Sequence, residues 1–131
     1  MLKDKLADYY DILIRALIDE YGEDNFSYTR TYDNAPAVFP HVYFKRLDSP
    51  DIMQTQDGVV HGIEYTIEIN AYHNKDIEES EDWANLIKRI MTSPEYGINL
   101  MCKYFNQVEN AADSSITRFV MRFKGKSTET E

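Results

Sequence analysis

Cysteine is almost missing from this chain. Cys102 is the single thiol in 131 residues, so no internal disulfide can form, and a reducing, cytosolic setting is expected. No apolar run reaches the length of a signal-peptide core or a membrane span, so neither secretion nor a membrane partner is expected. The chain also lacks a glycine-rich loop followed by Lys and Ser or Thr, a His-Glu-x-x-His pair and cysteines at metal-ligand spacing. No cofactor, metal or catalytic residue is therefore expected. Basic residues are outnumbered, 14 against 23 acidic, and the net charge of -9 opposes a phosphate backbone unless basic side chains share one face. The sequence shows no run of them, so sequence-specific nucleic-acid binding is not expected. The dense mixed charge from Asp76 to Asp82 and from Lys126 to Glu131 reads as solvated surface.

What is present is amphipathic patterning at the scale of one domain, long enough to bury roughly two-thirds of its unfolded surface. Leu2, Leu6, Tyr10, Leu13, Ile14, Leu17, Ile18 and Tyr21 recur at steps of three and four, which predicts a helix with one buried stripe, closed by Gly22. Phe26, Tyr28 and Tyr32 suggest a short strand, and Asp33 to Pro36 a turn. Val38 to Leu47 predicts a second strand, with Pro40 at its start or on an edge. Asp48 to Val60 reads as a long loop or hairpin tip, in which Ile52 and Met53 are either contact residues or folded back on the body. From His61 to His73, Ile63, Tyr65, Ile67, Ile69 and Ala71 alternate with Glu64, Thr66, Glu68, Asn70 and Tyr72, which predicts one core face and one wet face.

Trp83, Leu86, Ile87, Ile90 and Met91 form the stripe of a second helix, with Ser80 as its expected cap and Pro94 and Gly97 as its stop. Leu100 to Gln107 and Ile116 to Phe123 then form two strands around a polar turn, Glu109 to Ser115. Cys102 falls on the first of these as a half-buried apolar residue. The order is helix, three strands, helix, two strands. That defines an α+β fold with a mainly antiparallel sheet flanked by two helices, a single domain over residues 1–124 and a disordered tail over 125–131.

The ionisable residues point to contacts rather than catalysis. His61 and His73 stand at opposite ends of one strand, on the order of 40 Å apart, and read as surface histidines. Glu64 and Glu68 share a strand face about 13 Å apart, too far for a carboxylate dyad at a glycosidic bond. Arg118 and Arg122 have the same spacing and the opposite charge. The two rows either pair across strands, at roughly 0.2 to 1 kcal/mol per pair, or across a subunit boundary, or stand unpaired on a wet face. With the Asp51, Ile52, Met53 and Gln54 stretch, they are the candidate interface residues.

One further pattern runs through the second half. A strand ends in Tyr72 with Asn74 close behind; a helix leads to the step Gly97-Ile98; an aromatic-rich strand, a turn containing Asp113 and a last strand with Arg118 and Arg122 follow. In this the chain resembles the tail-terminator, or tail-completion, proteins of long-tailed bacteriophages and prophages, with Gly97-Ile98-Asn99 in place of their usual Gly-Phe-Arg. The resemblance implies a non-enzymatic virion subunit found in the tail, and in the bacterial host cytoplasm during assembly. It implies a hexameric ring of the chain with itself, partnered by the tail tube protein and the head-tail connector protein. A ring needs two different patches per subunit, for which the sheet face and the Asp48 to Val60 loop are the candidates. The rival reading is a small acidic immunity or inhibitor protein whose ten tyrosines and negative charge bind a basic toxin or nuclease. A ligand-binding or enzymatic domain ranks last, for want of converging polar residues.

Overall fold

The computed structural model of the chain describes residues 6–30, 38–46, 51–54, 60–98, 100–109 and 115–128. Helices α1 (Leu6–Tyr21) and α2 (Ile77–Thr92) alternate with strands β1 (Ser27–Thr29), β2 (His41–Arg46), β3 (Asp51–Gln54), β4 (Val60–His73), β5 (Met101–Val108) and β6 (Thr117–Thr128). The class is α+β, as expected, with four strands rather than three between the helices. The additional strand is β3, inside the segment read as a loop or hairpin tip. It pairs antiparallel with β4, setting Ile52 opposite Ile63, and is too short for its alternation to register in the sequence. Leu2, Tyr32, the Asp33 to Pro36 turn and Asp48 lie outside the described residues.

The sheet runs β1-β2-β4-β6-β5, with β3 also on β4. Among the described residues only the β1 and β2 pair is parallel. β6 accompanies β4 from Gly62 to His73, while the opposite side of β4 is shared, β2 along Ile67 to Tyr72 and β3 along Val60 to Glu64. Strand pairing in β6 continues to Thr128, beyond the Gly125 boundary drawn from composition.

Strand alternation decides which residues meet the helices. Val42 and Phe44 on β2, Ile67, Ile69 and Ala71 on β4, and Phe119, Met121 and Phe123 on β6 are all buried in one cluster with the helices. From α1 come Leu13, Ile14 and Leu17; from α2 come Trp83, Ala84, Ile87, Ile90 and Met91. Each fully buried Leu, Ile or Phe contributes roughly 1.5–3 kcal/mol relative to exposure, so this single layer is the main source of stability. Tyr9 and Ala16 also turn inward on α1, whereas Tyr10, Ile18 and Tyr21 lie at its half-buried margin. Cys102 is half-buried against the same core.

The helix ends follow local chemistry. Gly22 closes α1 at φ 88°, its N–H donating to the Ile18 carbonyl at 2.8 Å. α2 begins earlier than a Ser80 cap would place it. Asp76 is the N-cap and accepts the Glu79 N–H at 2.9 Å, while Ser80 is buried inside the first turns and donates to the Asp76 carbonyl. Asp76 with Glu79 three residues on is the stronger start signal, and it places Glu78 and Glu79 at the positive end of the helix dipole. After Thr92 the chain leaves the helix at Ser93; Pro94 opens a short 3-10 turn, and Gly97 at φ 81° closes it.

Trp83 joins these elements. Its ring is fully buried, 5.1 Å from Tyr21 at the end of α1 and 5.8 Å from Phe26 just before β1. Its indole N–H donates to the His41 carbonyl at the start of β2, at 3.2 Å. Trp83→Ala is expected to cost about 3–5 kcal/mol, and Trp83→Phe, which removes the indole hydrogen bond to the His41 carbonyl, about 1–3 kcal/mol. Urea unfolding midpoints read both, and a midpoint for Trp83→Ala within a few tenths of wild type would contradict this account of the core.

Candidate assembly surface

Because both helices lie over one side of the sheet, the opposite side presents the alternate residues of each strand to its surroundings. β2 contributes Tyr43 and Lys45; β4 Thr66, Glu68, Asn70 and Tyr72; β6 Arg118, Val120, Arg122 and Lys124; and β5 Tyr104, Asn106 and Val108. This face is not uniformly wet, contrary to the expectation from alternation. Glu68 is 7 % exposed, Asn70 2 % and Val120 5 %, since the long arginines and tyrosines on neighbouring strands cover the middle of the sheet.

Register decides which charges meet. Along the antiparallel β4 and β6 pair, Glu68 stands opposite Arg122, Tyr72 opposite Arg118, and Glu64 opposite Lys126. The two rows of matched pitch therefore share one Glu–Arg pair, not two. Arg122 Nε donates to Glu68 Oε1 at 3.1 Å, with the guanidinium 5.2 Å above the centre of the Tyr104 ring. Arg118, one step out of register with any glutamate, donates instead to Asn70 Oδ1 at 2.8 Å. Asn70 Nδ2 then donates to Glu68 Oε2 at 3.1 Å, so the four side chains form one row across two strands. Asp51 in β3 stands opposite Glu64 in β4, which puts the Asp51 to Gln54 stretch beside the far half of the same strand.

Burial raises the Glu68 pKa, but the hydrogen bonds from Asn70 and Arg122 and the charges of Arg122 and Lys45 outweigh it and hold the carboxyl below its ordinary value. The contribution of Glu68 to stability is therefore full above its unfolded pKa and is lost as pH falls through the folded one.

His73 departs from the surface reading. His73 is 7 % exposed and His41 2 %, while the side chain of His61 lies outside the described residues. Burial lowers the His73 pKa, and its Nδ1 accepts the Asn74 N–H at 3.0 Å, which requires that nitrogen to be unprotonated. His41 Nδ1 lies 2.6 Å from Ser27 Oγ, a contact that resembles the start of a nucleophile and base pair. The proton runs the wrong way for that. Ser27 gives its hydroxyl hydrogen to the Val38 carbonyl at 2.7 Å, so its oxygen accepts from His41 Nδ1–H, and the imidazole acts as a donor rather than a base. Among the described residues, no group of three His, Cys, Asp or Glu side chains could hold a metal ion.

The uncovered face carries Lys45, Arg118, Arg122, Lys124 and Glu68, with Glu64, Asp51 and Lys126 at register positions of the same face. The helical layer on the other side carries eight acidic side chains against Arg15, Lys88 and Arg89. Three of those acids, Asp82, Glu79 and Glu20, gather around half-buried Tyr21, whose hydroxyl pKa is raised by burial and then by their charge.

No family model and no curated protein matches the chain. Among solved structures the fold is similar to that of a chain in the virion of a native gene transfer agent particle, with a TM-score of 0.66 at 14% sequence identity, covering 94% of this chain and 93% of that one. At that identity the two share a fold.

Two measurements test the electrostatics. Arg122→Gln is expected to raise the Glu68 pKa from its depressed value, followed by carbon NMR of the carboxyl; an unchanged titration would show that Arg122 does not hold it. Overall stability is expected to fall as pH drops, first through the ordinary histidine range, where unfolded chains take up the proton that His73 resists, then through the carboxylate range. In His73→Gln the first of these two declines should flatten in denaturant midpoints.

Proposed function

We propose that the chain is a structural virion protein, a tail-terminator subunit whose hexameric ring caps the tail tube and joins it to the head-side connector. The observation that carries this reading is a fold shared along almost the whole chain with a chain of a virion particle, on top of the sequence pattern that resembles tail terminators. The surface is consistent with such work. Its most elaborate polar arrangement, the Arg118, Asn70, Glu68 and Arg122 row, is spent on internal hydrogen bonds across the sheet, and its tyrosines and arginines are the residue types that interfaces favour. A ring with a net negative charge would also let a phosphate backbone slide through rather than adhere. The candidate residues Asp51, Ile52, Met53 and Gln54 are the proposed contact with tube or connector, through the strand pair that β3 forms with β4.

Purified chain added to tail-tube protein during polymerisation is expected to stop growth and to appear in electron micrographs as a disc at one tube end. Native mass spectrometry should find assemblies of six times the 15.4 kDa subunit. Tubes of unchanged length, and a chain that instead binds a basic nuclease as a monomer with steep salt dependence, would favour the immunity-protein reading.

A further inference from the structure

We propose that His73 is an acid-operated latch on the start of α2. While its ring is neutral the turn from β4 into the helix stays closed, and protonation releases that turn together with the first turn of the helix. The device does not depend on a role of the chain in a virion.

The latch follows from which ring nitrogen carries a proton. Nδ1 of His73 accepts the Asn74 N–H at 3.0 Å, so in the closed turn the neutral ring holds its hydrogen on Nε2. A second proton has to enter at Nδ1, where it meets the amide hydrogen, and the imidazolium can no longer act as that acceptor. The ring is also poorly placed for water. His73 is 7 % exposed and shares the strand parity of the core residues Ile69 and Ala71, so a charge there is badly solvated until the turn moves.

The neighbouring charges decide what the cation does next. On β6, uncharged Thr117 stands opposite His73, and Arg118 donates to Asn70 on the other side of the sheet. On β2, His41 stands opposite Tyr72 and lies against Ser27. The charges that act on His73 are those of Glu79, Lys75 and Asp76, from the turn and the start of α2. Lys75 and the positive end of the helix dipole repel an imidazolium, whereas Glu79 and Asp76 attract it. Asp76 is already engaged. Its carboxylate accepts the Glu79 N–H at 2.9 Å, and its carbonyl accepts the Ser80 N–H at 3.1 Å. A cation beside it competes for the carboxylate that caps the helix, so the protonation that breaks the Asn74 bond also weakens the first turn.

Burial acts most strongly on His73 and holds its pKa below the ordinary histidine value, which keeps the latch shut at neutral pH. In the opened turn the ring regains that ordinary value. Opening therefore becomes easier as pH falls through the histidine range and levels off below the closed-state pKa. The release stops short of the core. Trp83, in the next turn, is fully buried and bonded to the His41 carbonyl, and it is the single tryptophan of the chain, so its emission reports the core separately.

Hydrogen exchange of the full chain tests the latch. Between neutral pH and about pH 5, protection factors of the Asn74, Glu79 and Ser80 amides should fall by about tenfold, with Trp83 emission unchanged. The carbon-bound ring protons of His73, followed in the same sample, should titrate over that range. In His73→Gln, whose side chain does not titrate, the three amides should keep their protection across it.

Protection that persists while the ring titrates would show an imidazolium accommodated in the closed turn, and would overturn the proposal. A loss of protection that survives in His73→Gln would overturn it as well. So would a ring that titrates only together with a change in Trp83 emission, because opening would then be global unfolding. The wild-type measurements decide the question by themselves if His73→Gln does not fold.

Discussion

The indole of Trp83 fixes the relation between the two layers. Its polar atom reaches from the helical layer into the backbone of the sheet, at the His41 carbonyl, while its ring takes up the ends of α1 and the approach to β1. An indole this deep has to satisfy its N–H, and a carbonyl at a strand start is where an acceptor is available. Placing α2 by that bond sets Ile87, Ile90 and Met91 over β4 and β6, and it brings the first turns of α2 beside the last turn of α1. The acidic patch is a consequence of this packing. Glu20, Glu79 and Asp82 come from two helices that sequence separates by more than fifty residues.

The helices were legible because their periodicity is strong and their boundaries chemically marked. The Trp83 to Met91 stripe, the Gly22 stop and the Pro94 and Gly97 break all rest on local rules that the packing does not override. The cap of α2 was misplaced because both Ser80 and Asp76 are competent caps, and the choice turns on where the first core residue must fall. The sheet was legible in its long members and not in β3, where four residues give alternation too little length.

The candidate site was half legible. Equal spacing in Glu64, Glu68, Arg118 and Arg122 left pairing across strands, pairing across a subunit boundary and no pairing all open; only register says which members meet, and register comes from pairing along the whole of β4 and β6. Asn70 was read as a wet-face residue, yet it is the piece that links Arg118 to Glu68. The buried histidines escaped notice for a similar reason, since a strand end looks solvated until the neighbouring elements are in place. The alternation of the uncovered face was present in the parity of β6, where Arg118, Arg122 and Lys124 alternate with Phe119, Met121 and Phe123.

The two ends of the strand path differ from its middle. β1 has only three residues, and β5 carries a register shift between Cys102 and Tyr104 that sets Lys103 out of the ladder. An ammonium group at an irregular rim is a poor template for another chain's backbone, and a three-residue rim offers little to extend. Such margins disfavour open-ended strand pairing between copies.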